Sequence, residues 1–380
     1  MKHAETENAN NMARTHFAFG SWSSVGFTTV AMPIAILVAV FIAVDCLAPC
    51  PVCLAQVIEQ PVVQTIQPTT KPAAVAQPAE LAKQEAATQF DADKAFAHLK
   101  AVCEFGPRVS ASSGMKKQQK YIKKHFESIK GANFYTQPFR VRSPYTGKFV
   151  QLDNIIIQFH PERKKRLLVC CHHDTRPFPD SDPFNPRGVF IGANDGGSGV
   201  GLLCELGRHM QSLDGNFGVD LVFFDGEEFV IHRPRDRMFL GSTYFAQQYA
   251  AGKLKWKYQF GLLVDMVADK DLQIYLEGNS LGYADGLTRS VWTVAKDLGV
   301  KEFIPQQRHQ IRDDHLPLNE IARIQTVDII DFDYPNPTQG NSYWHTQKDS
   351  VENCSAESLG KVGSVVLEWL RQVQKLNKGK

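Results

Sequence analysis

Several apolar runs in this chain end in groups that can bind metal or move protons. His172, His173 and Asp174 follow Leu167–Cys171, and Asp195 lies in the glycine-rich stretch Gly192–Gly199 after Gly188–Ile191. Asp225, Glu227 and Glu228 follow Val219–Phe224, Asp265 follows Gly261–Val264, and His345 follows Ser342–Trp344. Neutral imidazole and carboxylate are the ligands a borderline ion such as Zn²⁺ accepts, with one position left open for water or substrate in a catalytic site. Convergence of these groups places one or two zinc ions in one crevice. Adjacent carboxylates in a turn project in different directions, so one of Glu227 and Glu228 can bind metal while the other stays free. The free one, beside a cation and partly desolvated, is a candidate proton shuttle. Gly192–Gly199 lacks the Gly-Lys-Ser/Thr sequel of a phosphate cradle. Its glycines instead allow a tight turn that aims Asp195 at a metal, with Ser198 and Gly199 opening the next helix.

Groups spread over this length of chain meet only if the intervening elements bring them together. Strand-like apolar runs cover Leu152–Phe159, Arg166–Cys171, Val219–Phe224, Phe260–Val264 and Ile324–Ile330. Helical periodicity covers Ala92–Phe105, Ser113–Ile129, Val200–Gln211, Ser242–Ala251, Tyr283–Leu298 and Ser355–Lys375. Continuous apolar strands alternating with helices predict an α/β fold whose mostly parallel sheet is buried on both faces. In such sheets ligands sit beyond the carboxyl ends of the strands. In the second helix Met115, Ile122, Phe126 and Ile129 form the apolar face, and Lys116, Lys117, Lys120, Lys123 and Lys124 form a solvated one.

The 42 basic and 40 acidic side chains of the 380 residues leave a net charge of +2, which gives no nucleic-acid footprint. The 8 cysteines are too sparse for a disulfide scaffold. Residues 25–44 carry one charge-free apolar run of the ~20 residues that cross a bilayer, read as a transmembrane anchor behind a cytoplasmic-type tail at 1–24. A cleaved signal peptide is the second reading of that run. Residues 45–88, rich in Pro, Gln and Ala beyond the juxtamembrane Cys46, Cys50 and Cys53, read as a disordered linker to a catalytic domain at 89–380. The membrane is thus an expected partner, with the catalytic domain outside the cytoplasm.

From Asp91 to Lys375 the sequence resembles the zinc-dependent M28 peptidases, and within them the glutaminyl-peptide cyclotransferase branch. The resemblance rests on Phe105–Val109, Cys171–Thr175, Gly192–Gly199, Phe224–Glu228, Asp313–His315, Thr326–Ile330 and Tyr343–Thr346. It implies a three-layer sandwich with a mixed, mostly parallel central sheet. It also implies Asp195, Glu228 and His345 as zinc ligands, with Glu227 as acid/base. His172 and Asp265 match the positions that hold a second zinc in the family's aminopeptidases. In the cyclases, which use one zinc, Asp265 and Asp313 form a carboxylate network around the acid/base, and Trp344 is a wall of the substrate pocket. Asp328 stands where animal cyclases place a pocket histidine. The stretch His232–Arg237, with three arginines at the rim, has no role by resemblance. The implied reaction converts N-terminal glutamine of peptides to pyroglutamate with loss of ammonia. Two rival readings are a dinuclear-zinc aminopeptidase and a non-catalytic ectodomain, the latter requiring a broken ligand set.

Overall fold

The computed structural model describes residues 89–231, 237–335 and 342–375. The expected tail, anchor and linker, and all of the arginine-rich stretch except Arg237, lie outside the described residues. Among the described residues no helix is long and apolar enough to cross a membrane.

The chain opens with α1 (Ala92–Cys103) and α2 (Ser113–Glu127), started by Asp91 and Ser112, whose side chains accept from Lys94 N and Met115 N. Such N-caps satisfy amide donors that have no partner within the helix. The anticipated apolar face of α2 is buried through Met115, Ile122 and Phe126. A hairpin follows, β1 (Asn133–Arg142) with β2 (Phe149–Phe159), paired antiparallel from Asn133–Gln158 to Arg142–Phe149. Strand β1 was not anticipated. It is an edge strand with only Phe139 buried, so it lacks the apolar run that marks an internal strand, and it carries Pro138, which edges tolerate.

The rest alternates: β3 (Lys165–His172), α3 (Gly197–Met210), β4 (Gly218–Phe224), α4 (Leu240–Ala250), β5 (Lys257–Asp265), β6 (Ile274–Leu276), α5 (Gly278–Asp297), β7 (Phe303–Gln307), α6 (His315–Glu320), β8 (Thr326–Ile330) and α7 (Ala356–Lys375). The main sheet has the order β1-β2-β4-β3-β5-β8, in which β4, β3, β5 and β8 run parallel and β2 is antiparallel to β4. The expected mixed, mostly parallel sheet is therefore present. Short β6 and β7 form a separate parallel pair.

The period of two along β3 sorts its side chains between two cores. Leu167, Val169 and Cys171 join a cluster with α1, α2, α3, α5 and α7, whereas Leu168 and Cys170 pack with Phe245 of α4 and Leu318 of α6. Helices thus cover both faces, the layering that continuous apolar strands require.

Two of the anticipated strand ends are not strands. Gly188–Ile191 and Ser342–Trp344 are loop, so Asp195 and His345 arrive on turns. Both runs are short and contain or adjoin Gly or Ser, and their hydrophobic residues pack from irregular backbone.

Candidate metal centre

The parallel register of β3, β4 and β5 aligns their carboxyl ends. His172 closes β3 opposite Phe224, the last residue of β4, and Asp265 closes β5 two residues beyond the Cys170–Leu263 pair. His172 Nε2 consequently lies 3.1 Å from Asp265 Oδ1 and 3.2 Å from Asp195 Oδ1.

Asp195 is delivered by a turn before α3 in which Gly192 and Gly196 have φ of +58° and +82°. A Cβ on Gly196 would stand 2.6 Å from the Asp174 carbonyl oxygen, so only glycine fits. The turn is pinned from three sides. Asp349 accepts from Asn194 N and Asp195 N at 2.7 and 3.1 Å, Asn194 Oδ1 accepts from Ala268 N at 2.7 Å, and Arg108 Nη2 donates to Gly192 O at 2.7 Å. The turn after β4 is held in the same way, because the two oxygens of buried Asp174 accept from Glu227 N and Glu228 N at 3.1 and 3.0 Å.

His345 sits in the left-handed region with φ +57°. Its Nε2 is 3.4 Å from Asp195 Oδ2 and 3.3 Å from Glu228 Oε1, and its Nδ1 is 3.3 Å from Asp180 Oδ1. Zn–ligand bonds of ~2.0–2.1 Å at tetrahedral angles put ligand atoms about 3.3–3.4 Å apart, so this spacing suits zinc. Two buried triads result, Asp195, Glu228, His345 and His172, Asp195, Asp265, with ligand atoms within 4.8 Å of one another in each. Asp195 belongs to both. The expected ligand residues are therefore together, and the positions matched to a second metal are together as well.

The field at this point favours a cation. Burial opposes charge on His345, yet Glu228, Asp180 and Asp195 push its imidazole up to about 10. Burial likewise opposes charge on Glu228, but His345 and Arg176 hold it well below the usual carboxylate range, with Arg176 Nη1 donating to Oε2 at 3.1 Å. Glu227 is driven the other way, well above its usual range, first by burial and then by the neighbouring Glu228 charge. Adjacent glutamates whose environments separate their proton affinities are suited to different tasks, one ionised and one able to carry a proton. Burial and the Asp265 and Asp314 charges also raise Asp313, and burial raises Asp265 against the pull of His172.

These groups open onto a cleft of about 790 Å³ lined by Glu227, Asp265, Asp313 and Trp344 among others. The Trp344 ring stacks on His345 with centroids 3.8 Å apart and meets Phe332 edge-on at 5.2 Å. Asp328 does not line this cleft. It is fully buried on β8 beneath it, its Oδ2 3.6 Å from His315 Nδ1, while His315 Nε2 lies 3.4 Å from Glu277. Asp328, expected at the substrate pocket, is thus not among the residues that line this cleft, because alternation along β8 turns residue 328 to the α6 side of the sheet.

His173 and Asp225, singled out among the strand-end groups, serve the scaffold. His173 Nδ1 lies 2.7 Å from Phe224 O, and Asp225 accepts from Ser110 and Asp153 N. Sequence reasoning missed Arg176, Asp180 and Asp349, which hold the ligands. Arg176 Nε and Nη2 donate to the two oxygens of Asp180 at 2.8 and 2.9 Å. Their only signal was position next to a motif, since polar residues in loops look alike without coordinates.

A family-wide sequence profile, Peptidase family M28, matches residues 154–370. Glutaminyl-peptide cyclotransferase of Bothrops jararaca is 26% identical over 302 residues, covering 69% of this chain and 77% of the relative. Among solved structures, Fimbriiglobus ruber glutaminyl cyclase is 37% identical with TM-score 0.69, covering 74% of this chain and 95% of its own. A Zn-dependent exopeptidase from Parabacteroides distasonis is 36% identical with TM-score 0.68, covering 74% and 98%. With the profile spanning more than half of its residues, the chain belongs to peptidase family M28.

Proposed function

We propose that the protein is a zinc-dependent glutaminyl-peptide cyclotransferase, converting the N-terminal glutamine of peptides to pyroglutamate with release of ammonia. The observation that carries this reading is the environment of Glu227: a buried carboxylate next to Glu228 of the candidate metal triad, under the Asp313 charge, in a cleft also lined by Asp265 and Trp344. The likeness to glutaminyl cyclases supports it.

Asp195, Glu228 and His345 would hold the zinc. Bound there, zinc supplies a Lewis acid that polarises the side-chain amide carbonyl. Glu227 takes a proton from the attacking α-amine and returns it to the departing amide nitrogen. The new N–C bond closes the ring, the old C–N bond breaks, and ammonia leaves with the proton that Glu227 carried. Asp265 and Asp313 do not both ionise readily so close together, and hold a proton beside Glu227. Trp344 keeps water from the reacting carbonyl, where hydrolysis would compete. Asp180, Arg176, Asp174 and Asp349 keep ligands and acid/base in place, the role of groups around a metal site that orient its ligands.

The full chain, incubated with a Gln-initiated peptide, releases ammonia and leaves the peptide full length. Freed amino acids instead would refute the cyclase reading. One observation favours a second reading: the triad His172, Asp195, Asp265 is spatially intact, so a dinuclear-zinc aminopeptidase fits the same residues. One zinc per chain on purified protein supports the cyclase, and two support the aminopeptidase. The complete triad leaves no broken ligand set on which a non-catalytic ectodomain would rest.

The apolar run at 25–44 and the linker at 45–88 support a membrane-anchored protein with its catalytic domain outside the cytoplasm. Protease cleavage within 45–88 on intact cells tests this, and protection from cleavage would argue against it.

A further inference from the structure

We infer that the cleft selects peptides that carry acidic side chains just after the N-terminal glutamine, an inference that rests on the cyclase reading. The cleft has two electrostatic zones. Its floor holds Asp195, Glu227, Glu228, Asp265 and Asp313, each no more than 8% exposed. Its rim holds Arg140 of β1, Arg237 and Arg312, all exposed.

The rim arginines differ from most others of the fold in what they touch. Arg166, Arg176, Arg208, Arg289 and Arg308 each have a carboxylate at ion-pair distance. Among the described residues no carboxylate stands at such a distance from Arg140, Arg237 or Arg312. Arg140 and Arg312 lie over the rings of Phe149 and Phe239 at 5.4 and 6.0 Å. A guanidinium supported by an aromatic ring keeps its N–H fork free for a carboxylate, which it binds in bidentate fashion.

The cleft volume of about 790 Å³ lies in the ~300–1,000 Å³ range of sites that enclose drug-sized ligands, so residues beyond the glutamine fall inside it. The stacked pair Phe139 and Tyr244, with centroids 5.1 Å apart, gives the cleft an apolar wall along which the peptide backbone can lie. Low-dielectric walls focus the field of the rim arginines into the cleft mouth. The α-amine is drawn to the acidic floor while carboxylates of the following residues meet the rim. A basic residue after the glutamine meets like charge there.

The test compares kcat/KM for ammonia release by the full chain from Gln-Glu-Glu-Ala, Gln-Ala-Ala-Ala and Gln-Lys-Lys-Ala. Exposed ion pairs are individually weak, so the two added carboxylates, shared among the three arginines, favour the acidic peptide over the neutral one by about five- to tenfold, carried by KM. The preference collapses in ~0.5 M salt, where screening acts within a few ångström. In R140Q/R237Q/R312Q the acidic-to-neutral ratio falls to about one, and because it is a ratio within one variant, a general loss of activity cancels. Equal rates on the three peptides, or a preference unchanged by salt and by the triple substitution, would overturn this inference and leave the cyclase reading standing. Absence of ammonia from all three would overturn the cyclase reading itself.

Discussion

Asp180→Ala tests whether the zinc site depends on a group that touches no metal. Asp180 Oδ1 lies 3.3 Å from His345 Nδ1, and both its oxygens accept from Arg176, which also binds Glu228. Partial burial works against its charge, but His345 and Arg176 hold it far below the usual carboxylate range, so it is ionised at neutral pH. The substitution removes the partner that fixes the tautomer and aim of His345 and releases two N–H donors of Arg176. Loss of such a partner typically weakens metal binding 10–100-fold, or ~1.4–2.7 kcal/mol. The Asp180 side chain is 42% exposed, so its ion pair contributes under ~1 kcal/mol to folding, and the fold should survive. Zinc affinity measured by competition with a chromophoric chelator should fall by that factor. Ammonia release should recover as zinc is added in excess. Asp180→Asn retains an oxygen that accepts from Nδ1–H and should lose only about 3–10-fold. Equal zinc affinity in Asp180→Ala and the parent would show that the +57° backbone of His345 alone aims the ring, and the orienting role would be refuted.

Glu227→Gln should keep its zinc by metal analysis and lose roughly 10²–10⁴-fold in kcat, and residual turnover near the parent's would remove Glu227 as proton carrier. Gly196→Ala forces a Cβ to 2.6 Å from the Asp174 carbonyl at φ +82°. A cost of ~1–3 kcal/mol should appear as a lower Tm, with kcat falling because Asp174 holds both glutamate amides; an unchanged Tm would contradict the packing argument. Burial and the nearby His125 lower His98 from the ordinary 6.5 to about 4. Between those values the unfolded chain binds a proton the folded chain refuses, so this contribution is intact above pH ~6.5 and is lost as pH falls towards ~4. Discounted for solvent exposure, it amounts to ~1–2 kcal/mol. Urea unfolding at pH 7 and pH 5 should show a smaller acid loss in His98→Gln than in the parent, and equal losses would exclude His98.

Local chemistry in the sequence determined much of this protein. The apolar runs of β3, β4 and β5 are legible because strands buried on both faces need no polar alternation. The groups after them are legible only together, because a lone imidazole or carboxylate at a strand end is usually a turn former, whereas several such ends carrying one is not expected of packing. Edge strand β1, half solvated, carries no comparable signal, nor does the β6–β7 pair. Tertiary structure alone decided which groups meet. Parallel register set His172 beside Asp265, a left-handed turn swung His345 onto Asp195 and Glu228, and strand alternation sent Asp328 beneath the cleft. It also decided that Asp180, Arg176 and Asp349 act on the site and that three arginines line one cleft with, among the described residues, no carboxylate at ion-pair distance. The physical reason is that side-chain direction and long-range pairing follow from packing across the whole sheet, whereas residue type and period are written locally.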